Sequence, residues 1–105
     1  MLFRSDTLVA QVEGGVIYGL SAVLYGDISV ANGRVVESNF HDYRPLRIDA
    51  APVFDTHIVR SDAAPGGIGE PGTTVVAPAV VNAIAAATGV RLRRLPVDAA
   101  KLVRV

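Results

Sequence analysis

GGIGEPGTTVVAPAVVNAIAAATG, residues 66–89, carries the fold in its two halves. The first half is bare backbone. Four glycines and Pro71 surround one carboxylate, Glu70. Glycine lets main chain enter positive φ and approach another group closely, so the loop either wraps something or turns sharply. The second half has a helical period. Val76, Val80, Ala83, Ile84 and Ala87 fall on one face. Thr73 or Thr74 is placed to cap this helix, Pro78 falls near its first turn, and Gly89 ends it. A glycine loop running into a helix N-terminus offers free N–H groups to an anion, with Glu70 beside it as acid or base. It is also, and more commonly, the pattern of a turn carrying a solvated carboxylate.

Working toward the N-terminus, residues 6–25 predict a second helix. Val9, Val12, Val16, Leu20, Val23 and Leu24 recur at helical spacing, and Ser5 or Asp6 can serve as its cap. Gly14, Gly15 and Gly19 each cost about 1 kcal/mol against alanine in a helix interior. Close approach of another backbone or a ligand would offset that cost, and Gly15 and Gly19 share a face. Residues 27–37 read as a hairpin, with Asn32-Gly33 as a type I′ turn. Residues 53–61 alternate as a strand, with Val53, Asp55, His57 and Val59 on one side. Residues 91–97 read as a short final strand. Prolines 45 and 52 restrict the chain between. The expected class is α+β, two helices packed on a small mixed or antiparallel sheet. Boundaries read this way carry an error of two to four residues.

Composition narrows the function. The chain has 105 residues, 50% of them hydrophobic and 19% charged, which fits one globular domain. Ten acidic and ten basic residues give zero net charge, against the basic excess of a nucleic-acid binder. Without cysteine there is no disulfide, thiolate metal site or redox thiol. His41 and His57 have no metal-ligand spacing, so no protein metal ligand is expected. Gln11, in QVEGG, carries an amide able to read a heterocycle edge or simply to face solvent. Arg91 and Arg93 fall on one face of the strand read at 91–97, placed for a phosphate contact or, more commonly, on a solvated edge. The N-terminus lacks the pattern of a signal peptide, which makes the cytoplasm the default and leaves the periplasm open. No uninterrupted apolar stretch approaches the roughly 20 residues of a membrane span.

Taken jointly and in order, QVEGGVIYGLSAVLYG (11–26), NFHDYRPLR (39–47) and GGIGEPGTTVVAPAVVNAIAAATG resemble the molybdenum hydroxylases. These include xanthine dehydrogenase, aldehyde oxidoreductase and, most alike, the beta subunit of isoquinoline 1-oxidoreductase. The likeness runs from about Asp6 to Pro96 and is to the C-terminal part of their molybdopterin-binding large subunit. It implies that residues 1–105 form one partial molybdopterin-binding domain. It implies that Glu70 is the catalytic base beside molybdenum, that Gln11 hydrogen-bonds the molybdopterin, and that Gly67 and Gly69 lie against the cofactor. The implied reaction is hydroxylation of an aldehyde or N-heterocycle, with electrons leaving through an iron–sulfur subunit. Family subunits run to several hundred residues, so this chain is expected to be inactive alone, to need the remainder of the subunit, and to self-associate when isolated. The rival expectation is a stand-alone, non-catalytic module for self-association or for binding another subunit.

Overall fold

Two helices meet along a seam of glycines, and that seam organises the molecule. The computed structural model describes residues 5–64 and 66–102. Helix α1 spans Ser5–Leu24. A two-stranded antiparallel hairpin follows, β1 Val30–Ala31 and β2 Arg34–Val35, with Val30 opposite Val35 and Ala31 opposite Arg34. Then come α2, Pro71–Thr74, and α3, Val76–Thr88. Among the described residues the class is α+β, with α1, the broken helix α2–α3 and a small antiparallel sheet.

The buried stripe of α1 is Gly15, Gly19 and Val23, spaced four apart. A Cβ at Gly15 would lie 3.4 Å from Gly72 Cα. At Gly19 it would lie 2.9 Å from Thr73 O and 2.8 Å from a Val76 methyl. The glycines of α1 therefore offset their helix cost by admitting the backbone of α2. Gly14, off this face, has open space around it. The valine and leucine side expected as the core is only half-buried, apart from Val23.

Beyond the seam the core is small. Val23, Leu46 and Val76 are the buried hydrophobic residues among those described. Ser21 ties Leu46 in. Its hydroxyl accepts from the Leu46 N–H (2.9 Å) while donating to Ile17 O (3.1 Å). Val97 N–H donates to Val23 O (2.8 Å), bringing the C-terminal segment back to α1. The radius of gyration is 17.1 Å, against about 13 Å for a compact chain of this length.

Several local expectations need correction. Ser5 and Asp6 lie inside the first turn of α1 rather than before it. The second helix begins at Pro71, with Glu70 as its N-cap position, so neither Thr73 nor Thr74 caps it. Their hydroxyls donate instead to Gly15 O (3.1 Å) and Pro71 O (3.2 Å). The helix also breaks at Val75. Pro78 has no N–H for Thr74 O, four residues back, and its ring crowds that carbonyl. Gly89 closes α3 as expected, with φ 74° and its N–H on Ala85 O (2.9 Å). Residues 53–61 and 91–97 form no strand, because neither segment meets a partner within the described chain. The bond between Leu95 and Pro96 is cis.

Candidate functional site

Gln11 lies in the second turn of α1 and Glu70 at the entry to α2, in motifs far apart in sequence. The fold joins them. Gln11 Nε2 donates to Gly69 O at 3.3 Å, across 58 residues of chain. Two further ties lock the same junction. Thr73 Oγ1 donates to Gly15 O, and a Cβ on Gly72 would come within 3.2 Å of Val12 O. QVEGG and GEPGTT thus form one interlocked unit, and any side chain at Gly72 would press on the backbone of α1.

Glu70 is held by its backbone. Its carbonyl accepts from Thr73 N–H (2.9 Å) and Thr74 N–H (3.4 Å), while its side chain makes no cap bond. The carboxylate is exposed and bonds to no other described residue. A Cβ built at Gly66, Gly67 or Gly69 would meet nothing within 4 Å, so this face of the loop borders open space. Gln11 spends one N–H on Gly69 and keeps its amide oxygen available. Chemically, the junction offers an acceptor carboxylate, an amide oxygen and a strip of backbone with no side-chain cover.

Of the two residues that bring the motifs into contact, Gly72 was assigned no role from sequence and Thr73 only that of a helix cap. A signal existed, since small residues directly after a glycine loop suit a close helix crossing. His41 and His57 stand apart from this junction. His41 Nε2 is 3.6 Å from Asp42, His57 Nε2 is 3.1 Å from Asp55, and both histidines are exposed. Among the described residues no three His, Asp or Glu side chains converge.

No family model matches the chain. Curated proteins do. A membrane-bound aldehyde dehydrogenase (pyrroloquinoline-quinone) of Gluconacetobacter polyoxogenes is 48% identical over 94% of this chain and 13% of its own length. The beta subunit of isoquinoline 1-oxidoreductase of Brevundimonas diminuta is 43% identical over 91% of this chain and 12% of its own. A nicotinate dehydrogenase subunit of Pseudomonas putida is 31% identical over 97% of this chain and 9% of its own. The chain belongs to the molybdenum hydroxylase family. It spans about an eighth of the length of the first two of these relatives.

Within this family member, one cleft lies away from the Gln11–Glu70 junction. It holds about 500 Å³ and is lined by residues 90–98 with Asp27 and Lys101. Arg91 is already committed there, donating to Asn82 Oδ1 at 2.6 Å, and Lys101 pairs with Asp98 at 3.8 Å. Concave shape alone would favour this cleft as a site. The interlocked motifs favour the other, and carry more weight because two independent stretches converge there.

The helices also bear on setting. Both α1 and the run Pro71–Thr88 are long and apolar enough to cross a membrane by length and composition, more than the sequence led one to expect. The same traits suit helices covered by other protein. The break at Val75 and the glycine seam between the helices fit that second situation.

Proposed function

We propose that this family member is part of the cofactor-bearing large subunit of a molybdenum-dependent oxidoreductase, and forms one wall of its reaction site. Glu70 is the base, Gln11 the amide contact to the molybdopterin, and Gly67 and Gly69 the backbone lying against it. The observation that supports this reading is the Gln11–Gly69 hydrogen bond, which brings the amide to the residue just before Glu70.

The residues present suit such a group along one edge. The glycine loop leaves its outer face clear, where side chains would otherwise fill the space a large flat cofactor needs. Gln11 fixes the loop by its N–H and offers its amide oxygen as acceptor. When bound, the cofactor supplies two-electron oxidation with oxygen transfer to an electron-poor carbon. This chain's part is to hold the loop, keep bulk out, and accept a proton at a Glu70 carboxylate oxygen. Aldehydes and N-heterocycles are the substrate class. The remainder of the subunit and an iron–sulfur subunit are the partners, and the isolated chain oxidises nothing detectable.

The name of the 48% identical relative specifies a quinone cofactor instead. Molybdenum analysis and quinone extraction on the complex purified from its native host separate the two. Stoichiometric molybdenum without extractable quinone is the expected result. Within that complex, Glu70→Gln should lower turnover by about two orders of magnitude and leave metal content unchanged. Gln11→Ala should lower cofactor content more than it impairs proton transfer. The rival reading, a non-catalytic docking module, draws on the exposed, unpartnered Glu70 carboxylate. It predicts that Glu70→Gln leaves turnover unchanged.

A further inference from the structure

Residues 51–62 run between the hairpin and the glycine loop without helix, turn or bend. From Pro52 to Asp62 no backbone group bonds to any described residue. Backbone N–H and C=O groups require partners, and an unpaired strand is a template for another strand. The side chains alternate as strand side chains do. Asp55 and His57, two apart, meet at 3.1 Å on one side. Val53 (100%) and Val59 (87%) are freely exposed on that same side of the alternation. Phe54 and Thr56, on the other, are half-buried. The segment therefore has strand character, strand chemistry and no sheet.

Its sequence is complementary to itself in one antiparallel register. Centred on Thr56, Val53 stands opposite Val59, Phe54 opposite Ile58, Asp55 opposite His57, and Thr56 opposite its own copy. Apolar meets apolar, acid meets imidazole, and hydroxyl meets hydroxyl, the pairings that stabilise facing strands. A shift of the centre by one position to His57 would set Asp55 against Val59 and His57 against His57. We infer that a second copy of this chain is the partner of residues 53–59, through a two-fold antiparallel strand pair centred on Thr56. This does not rest on the family reading. It makes the extended segment a self-recognition element of the free chain.

The chain has no cysteine, so single cysteines report the register directly. Facing antiparallel residues have Cα atoms about 4.5 or 5.5 Å apart, within disulfide reach. Under mild oxidation, Thr56→Cys should cross-link to itself at least tenfold faster than Ile48→Cys, an exposed control outside the segment. Phe54→Cys and Ile58→Cys should each stay largely uncross-linked alone, yet cross-link to one another when mixed. Sedimentation of the unmodified full chain should show a monomer–dimer equilibrium. Thr56→Pro should abolish it without changing helical circular dichroism, because proline removes a ladder donor. A chain that stays monomeric at every concentration overturns the inference. So does cross-linking with no preference for Thr56 or for the mixed pair, which would mean unspecific apolar contact. Amide protection of residues 53–59 that appears only when a longer family subunit is added would also overturn it, in favour of that subunit as the partner.

Discussion

Gly14, Gly15 and Gly19 share one helix and one residue type, yet meet three different surroundings. Alanine at Gly14 meets open space, so it should gain the helix propensity of alanine, up to about 1 kcal/mol. Alanine at Gly19 would bring a Cβ within 2.9 Å of Thr73 O, a backbone atom that cannot turn aside. Overpacking of that kind costs about 1–3 kcal/mol, which outweighs the propensity gain of about 1 and leaves a net loss on the order of 1 kcal/mol. Gly15, at 3.4 Å from Gly72, should fall between them. Urea midpoints in the order Gly14→Ala, Gly15→Ala, Gly19→Ala, highest to lowest, would bear this out, and equal midpoints would contradict the seam. The close approach at Gly15 and Gly19 was legible in the sequence, because three glycines inside an apolar helix need an offsetting contact. Which residues approach was not. The Gln11–Gly69 bond spans 58 residues, and no local pattern encodes a pairing at that range. Glu70 and Gln11 stood out locally, but only the joint order of the motifs tied them to one another.

Elements that depend on their own residues were read well, and those that need a distant partner were not. The hairpin formed as expected because Asn32 (φ 52°) and Gly33 (φ 74°) adopt the left-handed backbone of a type I′ turn. Segments 53–61 and 91–97 carry strand patterns, but a strand exists only when a second one pairs with it. Pro78 lies in the first turn of α3, as read from sequence, and the break at Val75 follows because Pro78 leaves the Thr74 carbonyl, four residues back, without a donor. Loop 38–43 is also locally determined. The Asp42 carboxylate accepts from Ser38 N–H (2.8 Å), Asn39 N–H (2.8 Å) and the Ser38 hydroxyl (3.1 Å). The backbone N–H of Ser38, then that of Asn39, holds the Asp42 pKa below its ordinary value. A carboxylate lowered by folding stabilises the loop in full above its unfolded pKa. That contribution is lost as pH falls through the lowered, folded value. Amide exchange at Ser38 and Asn39 should therefore stay protected from neutral pH down through the ordinary aspartate range, near about 4. Protection should fail only below it, and Asp42→Asn should weaken it at every pH. Loss of protection well above that range would show that the carboxylate does not hold the loop.

For the molecule as a whole, surface area decides what kind of folding unit this is. The chain exposes 8587 Å². A compact protein of its 11.0 kDa would expose about 5,600 Å², and the unfolded chain about 16,000 Å². Folding therefore removes about 7,400 Å² from water, where a compact domain would remove about 10,400 Å², a ratio near 0.7. The shortfall is apolar in large part. Ile48 is 95% exposed and Phe40 77%, and α3 buries only Val76. An exposed apolar surface of this kind suits cover by other protein. Because the denaturant slope of unfolding scales with the area exposed, it should be about 0.7 of that of a compact domain of equal length. The measurement is a urea titration followed by circular dichroism, at a concentration low enough for the chain to be monomeric. A dye that reports apolar surface should bind the native state under the same conditions. Adding the longer segments of a family subunit should raise the slope and release the dye together. A full-size slope with no dye binding would mean that the free chain collapses into a compact domain of its own, and that its bare Glu70 loop closes over in solution.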